Sequence, residues 1–200
     1  TEMEKEIKVL HIITLFTVGG ATENTLFTVA GLIKKGYKVD IITGSSKNDE
    51  GGMFKLAEEL NVPVFTFRNL QRPISLVNDI KIIIDLYKHI KKNKYHIVHT
   101  HSAKAGVVGR IAAWLSKTPI IIHHNHGKPY HRFQSFWLRN SYKLIEKFAS
   151  HFCDKIVSVT NTIVNEMSQD KIAPKEKFVV IRSGFDISMF KNYDFTKTSE

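Results

Sequence analysis

Short runs rich in β-branched residues alternate with longer amphipathic stretches along the chain, and this alternation restricts the fold more than any single residue does. A strand, a helix and a further strand in succession form a parallel pair covered by the helix, and repetition of that unit covers both faces of one sheet. Ile7 to Leu15 reads as a first strand and Glu23 to Lys35 as a helix stopped by Gly36, with Lys38 to Thr43 as the strand that completes the unit.

The pattern continues with a short helix over Gly51 to Leu60, a strand from Val62 to Phe67 placed near an edge by Pro63, and a long helix over Ser75 to Lys92. Strands His96 to Thr100 and Ile120 to His124 flank a helix from Ala103 to Ser116. An aromatic helix spanning Arg132 to Phe148 precedes the strand Asp154 to Thr160, a helix near Thr162 to Ser168 and a last strand over Lys177 to Arg182. The expected class is a Rossmann-like, doubly wound α/β domain over residues 1–183 with a mostly parallel sheet. Residues 184–200 lose periodicity and read as a linker.

Charge and composition narrow the partners. Lys and Arg outnumber Asp and Glu by 29 to 19, a formal charge of +10, which favours an anionic partner such as a phosphate group, an acidic lipid surface or nucleic acid. The positive charge is spread over many segments with no nucleic-acid recognition motif, so nucleic acid is not expected. Cys153 is the single cysteine and reads as a buried thiol. The apolar run after Lys8 is too short and too polar for a signal peptide, and no segment approaches the roughly 20 apolar residues that span a bilayer. The expected location is the cytoplasm, with any membrane contact made from the surface.

Three places carry chemistry. Gly19 and Gly20 lie between a strand and a helix, where backbone N–H groups can approach a phosphate or a sugar hydroxyl without a Cβ in the way. The spacing is not that of a dinucleotide fingerprint, and a tight turn without a ligand is the alternative. The block from His99 to Gly106 again runs from a strand into a helix, with Ser102 placed to cap it and Lys104 in a first turn whose dipole a cation opposes. Gly106 and Gly109 permit close helix–sheet packing. The next strand runs into His123 to Gly127, so adjacent strands can bring His99, His101, His124 and His126 to one crevice at their C-terminal ends. No histidine pair has helical metal-site spacing, so a polar cleft is expected and a metal is not.

The helix after His131 interleaves Phe133, Phe136, Trp137, Leu144 and Phe148 with Arg132, Arg139, Lys143 and Lys147. That mixture suits an interface with anionic lipid headgroups, and it equally suits packing on a sheet.

Taken together, HTHSAKAGVVGRIAAWL from His99 to Leu115, IIHHNHGKPYH from Ile121 to His131, DKIVSVTNTIVNEM from Asp154 to Met167, and the Gly19-Gly20 loop resemble the bacterial family 4 glycosyltransferases. These are retaining enzymes of the two-Rossmann GT-B architecture, and the variant here is similar to transferases that act on lipid-linked sugars for capsule and other surface polysaccharides. The resemblance implies an N-terminal, acceptor-side domain that uses a nucleotide sugar as donor and a lipid-linked saccharide as acceptor, without a metal cofactor. It implies a catalytic position for His126 and donor or acceptor contacts for Gly19, Gly20, His101, Ser102, Lys104, Gly127 and His131. With the aromatic and basic helix, the leading expectation is docking on an anionic membrane surface through Arg132, Phe136, Trp137, Arg139 and Lys143, on the inner face of the plasma membrane. The family's exit from this domain usually reads Asn-Gly, whereas here it reads Ser183-Gly184. The partner domain that holds the nucleotide is not among these residues, so the chain alone is expected to be inactive. The competing expectation is a non-catalytic Rossmann-type module for a phosphorylated ligand.

Overall fold

Val9, Leu10, Ile12 and Ile13 are buried on both faces of β1 (Lys8–Ile13), the near-continuous apolar run of a central parallel strand. The structure, a computed structural model, describes residues 6–45 and 52–184; Gly51 and residues 185–200, including most of the expected linker, lie outside the described residues. The remaining strands are β2 (Lys38–Gly44), β3 (Val64–Phe67), β4 (Ile97–His101), β5 (Ile120–Asn125), β6 (Lys155–Ser158) and β7 (Phe178–Val180). The helices are α1 (Gly20–Lys34), α2 (Met53–Glu59), α3 (Leu76–Asn93), α4 (Ala103–Leu115), α5 (Phe136–Ser150) and α6 (Asn161–Gln169).

The strands form one seven-stranded sheet in the order β3-β2-β1-β4-β5-β6-β7, with every neighbouring pair parallel. The Rossmann-like reading therefore holds, and Pro63 lies directly before the edge strand β3. Between β1 and β4 the strand order reverses, which is where open α/β sheets leave a crevice. Leu10 and Ile12 pack with α3 and α4 on one face, and Val9 and Ile13 pack with α1 and α2 on the other.

Two helix starts differ from the sequence expectation. The first helix begins at Gly20, so Glu23 N donates to Gly19 O at 3.0 Å and the glycine pair belongs to the helix's first turn. The aromatic helix begins at Phe136, where Ser135 Oγ accepts from Leu138 N, so Arg132 and Phe133 lie in the turn before it. The expected strand Asp154 to Thr160 is shorter because its ends have other work. Asp154 Oδ2 accepts from Ile121 N at 2.7 Å, and Thr160 caps α6 by accepting from Ile163 N at 3.2 Å.

Gly106 and Gly109 let α4 lie close to the sheet, as expected. A Cβ on Gly106 would come within 2.5 Å of His123 Cε1, and one on Gly109 within 2.7 Å of Thr100 Cγ2. Cys153 is buried, and burial pushes its thiol pKa up.

Candidate functional site

Strand register explains how histidines far apart in sequence meet. His11 pairs with His99 across β1 and β4, and His101 pairs with His124 across β4 and β5. In parallel strands such partners share a face, so His11, His99, His101 and His124 all project toward the α1 side, and His126 continues the alternation past β5. His123 faces the other way, under α4 at Gly106, where its Nδ1 lies 3.1 Å from Thr100 Oγ1.

The rings form a contiguous stack: His99 and His101 centroids are 4.4 Å apart, His101 and His126 5.3 Å, and His124 and His126 4.0 Å. His101 Nε2 lies 2.9 Å from His11 Nδ1, and its Nδ1 lies 3.0 Å from His126 Nε2 and 3.3 Å from Thr25 Oγ1 on α1. Thr25 Oγ1 also donates to Ala21 O at 2.7 Å, which ties the contact to the first turn of α1. Burial, reinforced by His124, holds the His11 pKa down to about 3, and burial with His126 does the same for His124. Burial and neighbouring imidazoles hold His99 and His101 well below the usual histidine range, and burial lowers His126. The stack is therefore neutral near pH 7 and presents lone pairs and N–H donors to the crevice.

Sequence reasoning placed four of these rings in one crevice and did not single out His11. The signal was its parity with the flanking core residues, which only the β1–β4 register turns into a location.

A second feature lies beside the stack. The turns leading into α1 and α4 meet over a cavity of about 450 Å³ lined by Thr14, Gly19, Gly20, Thr22, Arg72, Ser102 and Lys104, among others. Two helix N-termini thus open onto one space, an arrangement suited to a phosphate. Arg72 is a cation at this cavity that sequence reasoning did not single out.

Ser102 does not cap α4 with its own side chain, as the sequence had suggested. It sits at φ 62 and ψ 164, a region that disfavours side chains, and its Oγ bonds Thr14 Oγ1 at 2.8 Å. Thr14 Oγ1 in turn accepts from Ala105 N at 3.0 Å, so the residue that follows β1 supplies the cap. Lys104, whose charge the α4 dipole opposes, forms an ion pair with Asp79, and its Nζ also donates to Pro73 O at 3.0 Å. Gly127 is exposed at the crevice mouth, its N–H donating to Asn125 Oδ1 at 3.1 Å, while His131 is exposed in the turn before α5.

On α5 the buried residues are Glu146, Ala149 and Ser150, so core packing does not consume the aromatic stripe. Phe133 is 81% exposed and Trp137 80%, and Phe136, Leu144 and Phe148 are also exposed, as are Ile74, Leu76 and Val77 around the start of α3. Arg132 lies 4.8 Å over the Phe133 ring, Arg139 is half-buried, and Lys143 Nζ pairs with Asp170 at 2.5 Å. No helix among the described residues is long and apolar enough to cross a membrane.

Residues 18–189 match the model of Glycosyltransferase Family 4. The chain is 30% identical over 185 residues to the UDP-Gal:alpha-D-GlcNAc-diphosphoundecaprenol alpha-1,3-galactosyltransferase of Escherichia coli, covering 92% of this chain and 46% of that protein. It is 27% identical over 115 residues to the capsular polysaccharide biosynthesis glycosyltransferase CapM of Staphylococcus aureus, covering 58% of this chain and 30% of that protein. Among solved structures, a glycosyltransferase from Rickettsia africae superposes with a TM-score of 0.68 at 18% identity, covering 96% of this chain and 47% of that one. The chain thus spans about half the length, or less, of these relatives.

Proposed function

The chain belongs to glycosyltransferase family 4, and we propose that it forms the N-terminal, acceptor-side domain of a retaining GT-B enzyme that transfers a sugar from a nucleotide sugar to a lipid-linked saccharide. The product serves cell-surface polysaccharide synthesis. The observation that carries this reading is the convergence of the α1 and α4 N-termini on one cavity beside the histidine stack, at the reversal of strand order. Backbone N–H groups at Gly19 and Gly20 suit the negative charge of a diphosphate, and Arg72 adds a cation. His126, half-buried at the end of β5 and oriented by His101, is the ring best placed to contact the transferred sugar. The similarity to a transferase whose name includes a diphosphoundecaprenol-linked sugar supports a lipid-linked acceptor.

A lipid-linked acceptor lies at a membrane, and the exposed aromatic face of α5 with Arg132 and Arg139 suits docking on the inner, anionic leaflet.

The deciding experiment assays the full-length enzyme with a panel of nucleotide sugars and a short-prenyl diphosphate-linked sugar, and reads the anomeric configuration of the product. Transfer with retention, reduced on the order of 100-fold in kcat/KM by His126→Ala, is expected. Inversion at the anomeric carbon, or full activity of the variant, would overturn the reading. For docking, co-sedimentation with anionic vesicles at low salt is expected to fall in the double variant Trp137→Ala with Arg139→Ala; undiminished binding would sink it.

A further inference from the structure

The histidine stack has more ring nitrogens than protein partners for them. A neutral imidazole has one donor and one acceptor. Nε2 of His11, His99 and His124 is buried without a hydrogen-bond partner, and leaving such a group unsatisfied costs free energy. The stack also brings ligating atoms to single points. His11, His99 and His101 each offer a nitrogen within 4.8 Å of the others, and so do His101, His124 and His126.

The second triad has the better access. His124 and His126 are stacked 4.0 Å apart at the end of β5, and His126 is only half-buried, so a ligand can reach it from the crevice. His101 Nδ1 and His126 Nε2 are 3.0 Å apart. Two nitrogens on one tetrahedral zinc are separated by about 3.3 Å, given bonds of about 2.0–2.1 Å, so a small shift of either ring reaches that spacing. His101 Nε2 lies 2.9 Å from His11 Nδ1 and can donate its proton there, the outer-shell bond that orients a ligating histidine. Neither triad includes a carboxylate, which disfavours hard cations such as magnesium and calcium.

We propose that His101, His124 and His126 bind a borderline-soft divalent transition cation of the zinc class, with His11 as the outer-shell partner of His101 and a fourth coordination position open to the crevice. No sequence spacing advertises such a site because its ligands come from two strands and the loop that follows. The proposal shares His101 and His126 with the sugar-contact reading but does not rest on it, and the metal alone tests it.

The test is competition of the full chain with a chromophoric zinc chelator of micromolar affinity. The unaltered chain is expected to capture one equivalent of zinc and no magnesium. His124→Ala and His126→Ala are each expected to weaken capture by at least about 10-fold, while His151→Ala, at an exposed position on the far end of α5, leaves it unchanged. Absence of capture by the unaltered chain, or undiminished capture by the His124→Ala, His126→Ala double variant, overturns the site. Cobalt bound to the unaltered chain gives a readout independent of any variant's folding: intense visible bands of a tetrahedral centre are expected, and a weak octahedral spectrum overturns the assignment.

Discussion

His101 Nδ1 lies 3.0 Å from His126 Nε2 while its other nitrogen lies 2.9 Å from His11 Nδ1, so one buried ring ties the sheet interior to the crevice. This arrangement depends on neutral imidazoles, because protonating His101 would place a cation among four other rings at almost no exposure.

Stability should therefore fall on acidification. The folded-state pKa values of His11 and His124 are near 3, below the ordinary 6.5, so between those values the unfolded chain binds more protons than the folded one. The contribution is complete above about pH 6.5 and is lost as pH falls, at about 1.4 kcal/mol per pH unit for each such histidine. Melting temperature measured from about pH 8 to pH 5 with a chelator present is expected to decline steadily below about 6.5. A flat profile would mean that the rings titrate freely.

Ser102 holds a backbone conformation that costs side-chain-bearing residues about 1–3 kcal/mol, and its hydroxyl bond to Thr14 helps to hold it there. Ser102→Ala keeps the strain and loses the bond, whereas Ser102→Gly loses both. The alanine variant should be the less stable of the two by roughly 1 kcal/mol or more in urea denaturation. Equal stability would show that the backbone relaxes once the hydroxyl is gone.

The fold was legible because its signals are local: β-branched runs, Gly36, Pro63 and the polar breaks between elements. The parallel arrangement of the histidine strands followed from them. Helix starts were less legible, since Gly20 gives no sign in sequence that it has already entered a helix, and Ser135 competes as a cap with several polar neighbours. The site was legible only in part. His124 and His126 declare their shared face through alternation, but the place of His11 depends on which residue of β4 it pairs with, and that register is set by the whole core. The Thr14 cap on α4 was out of reach for the same reason, since Thr14 and Ala105 meet only across the sheet.

Gly106 tests how tightly α4 is seated. Alanine would gain up to about 1 kcal/mol of helix propensity, but its Cβ would come within 2.5 Å of the buried, hydrogen-bonded His123 ring. Overpacking of this kind costs about 1–3 kcal/mol, so Gly106→Ala is expected to be net destabilising by thermal melt. A stabilised variant would mean that His123 has room to move.

The buried Arg110–Glu146 pair joins α4 to α5. Arg110 is fully buried, its Nε donates to Gly106 O at 2.6 Å, and its guanidinium reaches Glu146 Oε2 at 3.1 Å. Burying two charges costs much of what their attraction returns, so the pair adds little net stability, but removing one partner strands the other in a medium that cannot solvate it. Glu146→Ala is therefore expected to cost about 3–5 kcal/mol, while Arg110→Met combined with Glu146→Leu should cost much less than the sum of the single changes. Urea denaturation of the two single variants and the double variant closes the cycle. Strict additivity would show that the charges are solvated independently and that α5 is held by its apolar contacts alone.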